Sequence, residues 1–143
     1  MSVHVSAATL SSLKGSATVP AYKREQLSAG IVHIGCGNFH RAHQAVYLHE
    51  LFNMGEGHDW ALVGAGVREA DEQMRQKLLA QDLYTTVVEQ EAGKSAAHIT
   101  GAMIDFVKPG DNAALIARMA EADIRIVSLT ITDGDFVTLV GPS

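Results

Sequence analysis

A run of apolar residues that stops on two alternate glycines sets the tightest limit on this fold. In Gly30-Ile-Val-His-Ile-Gly-Cys-Gly-Asn-Phe-His-Arg-Ala-His43, Ile31 to Ile34 reads as a short buried strand, because largely apolar β-branched runs belong inside a sheet. Gly35 permits a tight reversal, and Gly37 lets the backbone approach a ligand whose charge sits on the free amides of the following helix start. A pyrophosphate suits such a place. His40 stands where a third glycine normally lets helix and strand pack closely, so the helix is pushed outward or the side chain turns toward ligand. On pattern alone the turn either serves a nucleotide or is a plain tight reversal, and both readings stay open.

The rest of the chain repeats the strand and helix alternation. From Asn38 to about Asn53 the apolar positions Phe39, Ala42, Val46 and Phe52, widened by Leu48 and Leu51, predict a helix ended by the Gly55/Gly57 loop. Trp60 to Val67 predicts a second buried strand. Arg68 to Gln81 follows as a surface helix with Ala70, Met74 and Leu78 on the sheet side. Leu83 to Val88 and Ala97 to Met103, separated by the turn-rich Glu91 to Ser95, predict an antiparallel excursion. Asp111 is a plausible N-cap for a helix carrying Leu115, Met119 and Ala122. Ile124 to Ile131 is a strongly β-branched strand leading to Asp133-Gly134. With right-handed crossovers this is α/β, a mainly parallel Rossmann-type sheet with helices on both faces, incomplete and amounting to about the first nucleotide-binding half.

An acid after the second strand should take a ribose 2′-hydroxyl, and the candidates are Glu69 and Asp71. Their distance from Gly35 exceeds the usual spacing of about 20, which the long first helix and the Gly55 to Asp59 loop explain. Both also fit as helix N-terminal acids facing the macrodipole, the preferred reading for Glu69.

Composition narrows the partners. A chain of 143 residues with 47% hydrophobic and 19% charged residues is expected to fold as one soluble domain. Its net charge of −5, without a basic cluster, argues against nucleic acid and anionic membrane as partners. No window approaches the roughly 18 apolar residues of a membrane span. The single cysteine, Cys36, cannot form an internal disulfide, so the cytoplasm is the expected compartment. Residues 1 to 30 are expected to form an N-terminal leader, with the nucleotide-binding domain over 31 to 143. The first 24 residues lack Asp and Glu and hold five serines, weakly like a transit peptide, yet no arginine precedes Arg24; an ordered or frayed leader is the expectation.

The segments GIVHIGCGNFHRAHQAVYLHEL, GEGHDW, GAGVREAD and RIVSLTIT followed by an acid and Gly134 together resemble the N-terminal part of the mannitol dehydrogenase family of long-chain polyol dehydrogenases. The resemblance spans residues 30 to 134, and the FHRAHQA run is specific. It implies that G-x-G-x-F-H-R-A is the NAD-binding turn, with Gly35, Gly37, Asn38, Phe39, His40 and Arg41 lining the pyrophosphate side. It places the ribose acid at Asp71, with Ala70 where relatives can carry a second acid. Such an acid repels a 2′-phosphate, so NAD is implied over NADP.

The implied reaction is hydride transfer between a sugar alcohol and NAD, giving a ketose, with mannitol and fructose as the namesake pair and arabinitol dehydrogenases or fructuronate reductases as near alternatives. The family's proton acceptor is a lysine assisted by asparagine and histidine in a mainly helical C-terminal domain, for which this sequence has no counterpart. Lys14, Lys23, Lys77, Lys94 and Lys108 lie outside any matching motif, so no catalytic residue is assigned. The family continues after Thr132 with an acid, two glycines and an aromatic, whereas Asp135 replaces the second glycine here. A truncated or frameshifted product, or a fragment, is the expectation, with weak cofactor binding, no turnover and aggregation through the exposed edge of the last strand.

Three other readings compete. Val32-His-Ile-Gly-Cys-Gly37 also looks like the first motif of S-adenosylmethionine-dependent methyltransferases, but that motif usually has an acid at the place of His33 and a glycine at the place of Phe39. His40 and His43 could share a helix face as metal ligands, yet no third ligand at usable spacing is evident and partner-directed or anion-binding histidines fit better; no metal is expected. Cys36 could have a lowered pKa at a helix start, against the simpler role of filling a tight turn.

Overall fold

The computed structural model describes residues 3–131. The expectations about Thr132, Asp133, Gly134, Asp135 and the tail lie outside the described residues.

Four strands, β1 (Ala29–Ile34), β2 (Ala61–Ala65), β5 (Met103–Phe106) and β6 (Ile126–Leu129), form one parallel sheet in the order β5-β2-β1-β6. Every residue of β2 is buried, as are the first five of β1. Continuous burial is what a central parallel strand with covered faces requires, and it explains why the sequence shows apolar runs in place of alternation. Ile31, Leu62 and Met103 pack with Phe52 of α3 (Gln44–Asn53) and Leu78 of α4 (Glu69–Ala80). Val32, Val63 and Ala65 pack with Leu115 of α5 (Asn112–Met119). Helices thus cover both faces, as the alternation predicted.

The predicted helix over 38 to 53 is two helices. α2 (Asn38–Ala42) ends at His43, whose φ of −123° and ψ of −85° break the helical path before α3 begins. The His43 ring Nδ1 donates to the Phe39 carbonyl at 2.7 Å, taking the acceptor that the next helical amide would use, and the His43 amide falls back on His40 O. The break resets the phase of the buried face. Ala45, His49 and Phe52 are buried, whereas Phe39, expected in the core, is 66% exposed.

The antiparallel excursion exists but is shifted. β3 (Thr85–Glu91) and β4 (Lys94–Thr100) pair from Thr85↔Thr100 to Glu91↔Lys94, with a tight turn at Gly93. Met103 does not belong to this hairpin. After Gly101 and Ala102 the chain crosses into the main sheet, where Met103 opposes Leu62, so β5 is a strand that the sequence reading merged into β4.

The segment before β1 is packed in place. After the short helix α1 (Leu10–Leu13), Thr18 bridges to β4 through Thr18 N to Ala97 O and Ile99 N to Thr18 O, and Tyr22 and Leu27 enter the core. The Asn53 side chain accepts from the Ala21 amide and so turns its NH₂ toward His49 Nε2 at 3.2 Å. That leaves His49 Nδ1–H to donate to the Tyr22 hydroxyl at 2.6 Å, which also accepts the Gly101 amide. Burial holds the His49 ring neutral, with its pKa pushed down to about 4.

Asp111 caps α5 as predicted, its carboxylate accepting from the Ala114 amide at 2.9 Å. Asp111→Ala is expected to cost about 1 kcal/mol, a fall in melting temperature of roughly 4 °C on a thermal scan. Among the described residues β6 pairs with β1 alone, and Ile126, Val127 and Leu129 remain exposed. No described helix is long and apolar enough to cross a membrane.

Candidate functional site

The strand order places β1 between β2 and β6, so the connections leaving β1 and entering β6 diverge at its carboxyl end. Ligands in open parallel α/β sheets bind in the crevice at such a switch point. Here the crevice is a groove. One wall is the turn Gly35 to Phe39, the other is the start of α4 with Arg68, Ala70, Asp71 and Met74, and Thr130 closes the end beyond β6.

Gly35 has a φ of +98°, a conformation that side-chain-bearing residues rarely adopt, and its amide donates to Ala65 O. A methyl group there would also sit 3.2 Å from Thr130 O. At Gly37 no protein atom lies within 4 Å of where a Cβ would be. The space beside the Gly37 backbone is therefore available to a ligand, next to the α2 amides of Asn38 and Phe39, which helix geometry leaves without intrahelical acceptors.

Asp71 reaches the groove from the opposite wall. Its side chain is 14% exposed, and its Oδ2 accepts from the amides of Val67 at 3.0 Å and Arg68 at 2.9 Å. It is the third residue of α4, so the carboxylate folds back over the helix start, a cap and a charge facing the groove at once. The side chain packs on Gly66, where a Cβ would lie 2.2 Å from that of Asp71. Glu69 is exposed at the first position of α4.

The remaining predicted residues separate. Gly35, Gly37, Asn38, Phe39 and Asp71 share the groove; His40 and Arg41 do not line it. Arg41 turns back on its own helix, with its guanidinium donating to Asn38 Oδ1 at 2.6 Å and Gly37 O at 3.3 Å. His40 is 2% exposed and lies between α2 and the sheet, stacked on His33 with ring centroids 3.7 Å apart and planes 9° from parallel. Of the two outcomes expected for a bulky residue at the third-glycine position, this is the spacer between helix and strand. Burial and the neighbouring His33 push the His40 pKa down to about 3, and burial lowers that of His33.

His33 was not singled out in the sequence. Its Nδ1 contacts Ser128 Oγ at 2.7 Å and its Nε2 contacts Thr130 Oγ1 at 2.9 Å, so one ring nitrogen donates and the other accepts. The signal was present as polar interruptions of two apolar strands, His33 in one and the alternate Ser128 and Thr130 in the other.

The rings of His40 and His43 do not share a face, since His40 is buried on His33 whereas His43 is exposed and stacks on Phe39 at 4.3 Å. Among the described residues no three His, Cys, Asp or Glu side chains are grouped to hold a metal ion. Cys36 is 3% exposed, and burial pushes its thiol up to about 12. It fills the turn and is no activated nucleophile.

Comparison with known proteins follows the same lines. The family model of the mannitol dehydrogenase Rossmann domain matches residues 29–140. The chain belongs to the mannitol dehydrogenase family. Mannitol 2-dehydrogenase of Cereibacter sphaeroides is 57% identical over 85% of this chain and 26% of its own length, and that of Pyricularia oryzae is 44% identical over 85% and 24%. The chain thus spans about a quarter of the length of these curated relatives. Among solved structures, Pseudomonas fluorescens mannitol 2-dehydrogenase in ternary complex with NAD and D-mannitol superposes with a TM-score of 0.89 at 39% identity, over 94% of this chain and 28% of that one. A D-sorbitol dehydrogenase in substrate-free form gives a TM-score of 0.84 at 32% identity, with the same coverage.

Proposed function

We propose that this chain is the NAD-binding portion of a polyol dehydrogenase that oxidises mannitol, or a related sugar alcohol, to the ketose. The observation that carries this reading is the groove at the carboxyl end of β1, where Gly35 makes the reversal, Gly37 leaves its backbone approachable and Asp71 sets a negative charge opposite. A pyrophosphate along Gly37, Asn38 and Phe39 puts a ribose toward Asp71, whose charge favours a free 2′-hydroxyl and repels a 2′-phosphate. NAD would accept the hydride from the carbinol carbon. No described residue is assigned as the base that takes the hydroxyl proton, so the chain alone is expected to bind cofactor without turning over substrate.

Calorimetric titration of the chain with NAD, NADP and S-adenosylmethionine tests the reading. NAD alone is expected to bind. Asp71→Asn, which keeps an oxygen for the α4 cap but removes the charge, is expected to weaken NAD roughly tenfold, about 1.4 kcal/mol, and to narrow the preference over NADP. Binding of S-adenosylmethionine in place of NAD, or an unchanged NAD to NADP ratio in Asp71→Asn, would count against the assignment.

A further inference from the structure

We propose that the stacked pair His33–His40 is a clamp that ties the first turn of α2 to β6, making His40 a positioning residue for the turn Gly35 to Phe39. The arrangement has three links. Hydroxyls of Ser128 and Thr130 hold both nitrogens of His33 and so fix the plane of that ring across the β1–β6 pair. His40 lies flat on that plane at 3.7 Å. Neither nitrogen of His40 has a hydrogen-bond partner of normal geometry among the described residues, although Gln44 lies near enough to favour the charged ring slightly. What holds His40 is therefore its face, and what its face touches is the ring anchored to β6.

The far end of the clamp is also part of the groove. Thr130 binds His33 Nε2 through its hydroxyl, donates its amide to Ile34 O and stands against Gly35. A movement of β6 is thus transmitted to the reversal by contact and to α2 by the stack. A glycine at position 40 would close the helix onto the strand and leave His33 without a cover. The stack takes over the spacing that the third glycine sets in other dinucleotide turns. Its effect on ligand rests on the cofactor reading above; its effect on the turn does not.

Native-state hydrogen exchange by NMR on the whole chain separates the two. Replacing the ring, His40→Gly, is expected to speed exchange of the Gly35 amide, bonded to Ala65 O, and of the Thr130 amide, bonded to Ile34 O, by about tenfold or more. The Val107 amide, bonded to Gly64 O across the sheet, should change by less than about threefold. His40→Phe keeps a flat ring without nitrogens and should restore both amides. NAD affinity should follow, about tenfold weaker in His40→Gly and near normal in His40→Phe. Equal acceleration at all three amides would mean simple loss of stability and overturn the clamp, as would no acceleration, or a His40→Phe variant as loose as His40→Gly. Should His40→Gly fail to fold, Ser128→Ala combined with Thr130→Val frees the His33 plane, and Gly35 read against Val107 gives the same decision. Wild-type chain that binds no NAD would overturn the cofactor reading and leave the exchange pattern to decide the clamp.

Discussion

Gly35→Val is expected to weaken NAD binding by about a hundredfold or more, on the order of 3 kcal/mol, and to destabilise the chain by about 2 kcal/mol. Two independent effects coincide at this position. The backbone sits at a φ of +98°, which a β-branched residue adopts only under strain, and the new side chain would press on the Thr130 carbonyl. Either the reversal opens or β6 moves away, and both displace Gly37 from the groove. Calorimetry for affinity and a thermal melt for stability measure the two effects in one preparation. Retention of NAD affinity within threefold of wild type would mean that the reversal does not position the cofactor.

Acidification should weaken the fold well above the pH at which the folded histidines titrate. His40 and His49 are held neutral by burial at pKa values of about 3 and about 4, while in the unfolded chain each returns to 6.5. Above pH 6.5 both states are neutral and nothing is lost. Below it the unfolded chain takes up protons that the folded chain refuses, so stability falls by about 1.4 kcal/mol per pH unit for each ring until the folded pKa is reached. Two rings over two pH units lose on the order of 5 kcal/mol by pH 4.5, comparable with the whole stability of a small domain. Denaturant titrations at pH 7.5 and 4.5 followed by Trp60 fluorescence would measure the difference. His40→Phe should remove about half of it, and an unchanged pH dependence in that variant would show that the ring is not buried neutral.

What the sequence made legible follows from how its signals arise. Parallel strands announce themselves by continuous apolar residues, so β1 and β2, buried along nearly their whole length, and β6 at the exposed edge could each be read directly. The N-cap at Asp111 was legible because capping is local. The helix break was not, because it depends on the His43 ring capturing the Phe39 carbonyl, and the apolar spacing across 38 to 53 fits one helix well enough to conceal it. Phe39 was misplaced for the same reason. β5 was hidden because Gly101 and Ala102 hand the chain from the hairpin to the sheet without the polar turn that usually marks such a change. At the groove, Gly35, Gly37 and Asp71 could be found by spacing and resemblance, whereas the burial of His40 requires His33, Ser128 and Thr130, and contacts across nearly a hundred residues leave no local trace.

The thiol of Cys36 gives the turn a reporter of its own. It sits between the two glycines, directs its S–H to the His33 carbonyl at 3.4 Å and borders the groove while remaining shut off from solvent. As the only cysteine in the sequence, it reacts with an alkylating reagent at a rate set by how often the reversal breathes open, so labelling kinetics read the mobility of the groove directly, without any probe having to be engineered into it.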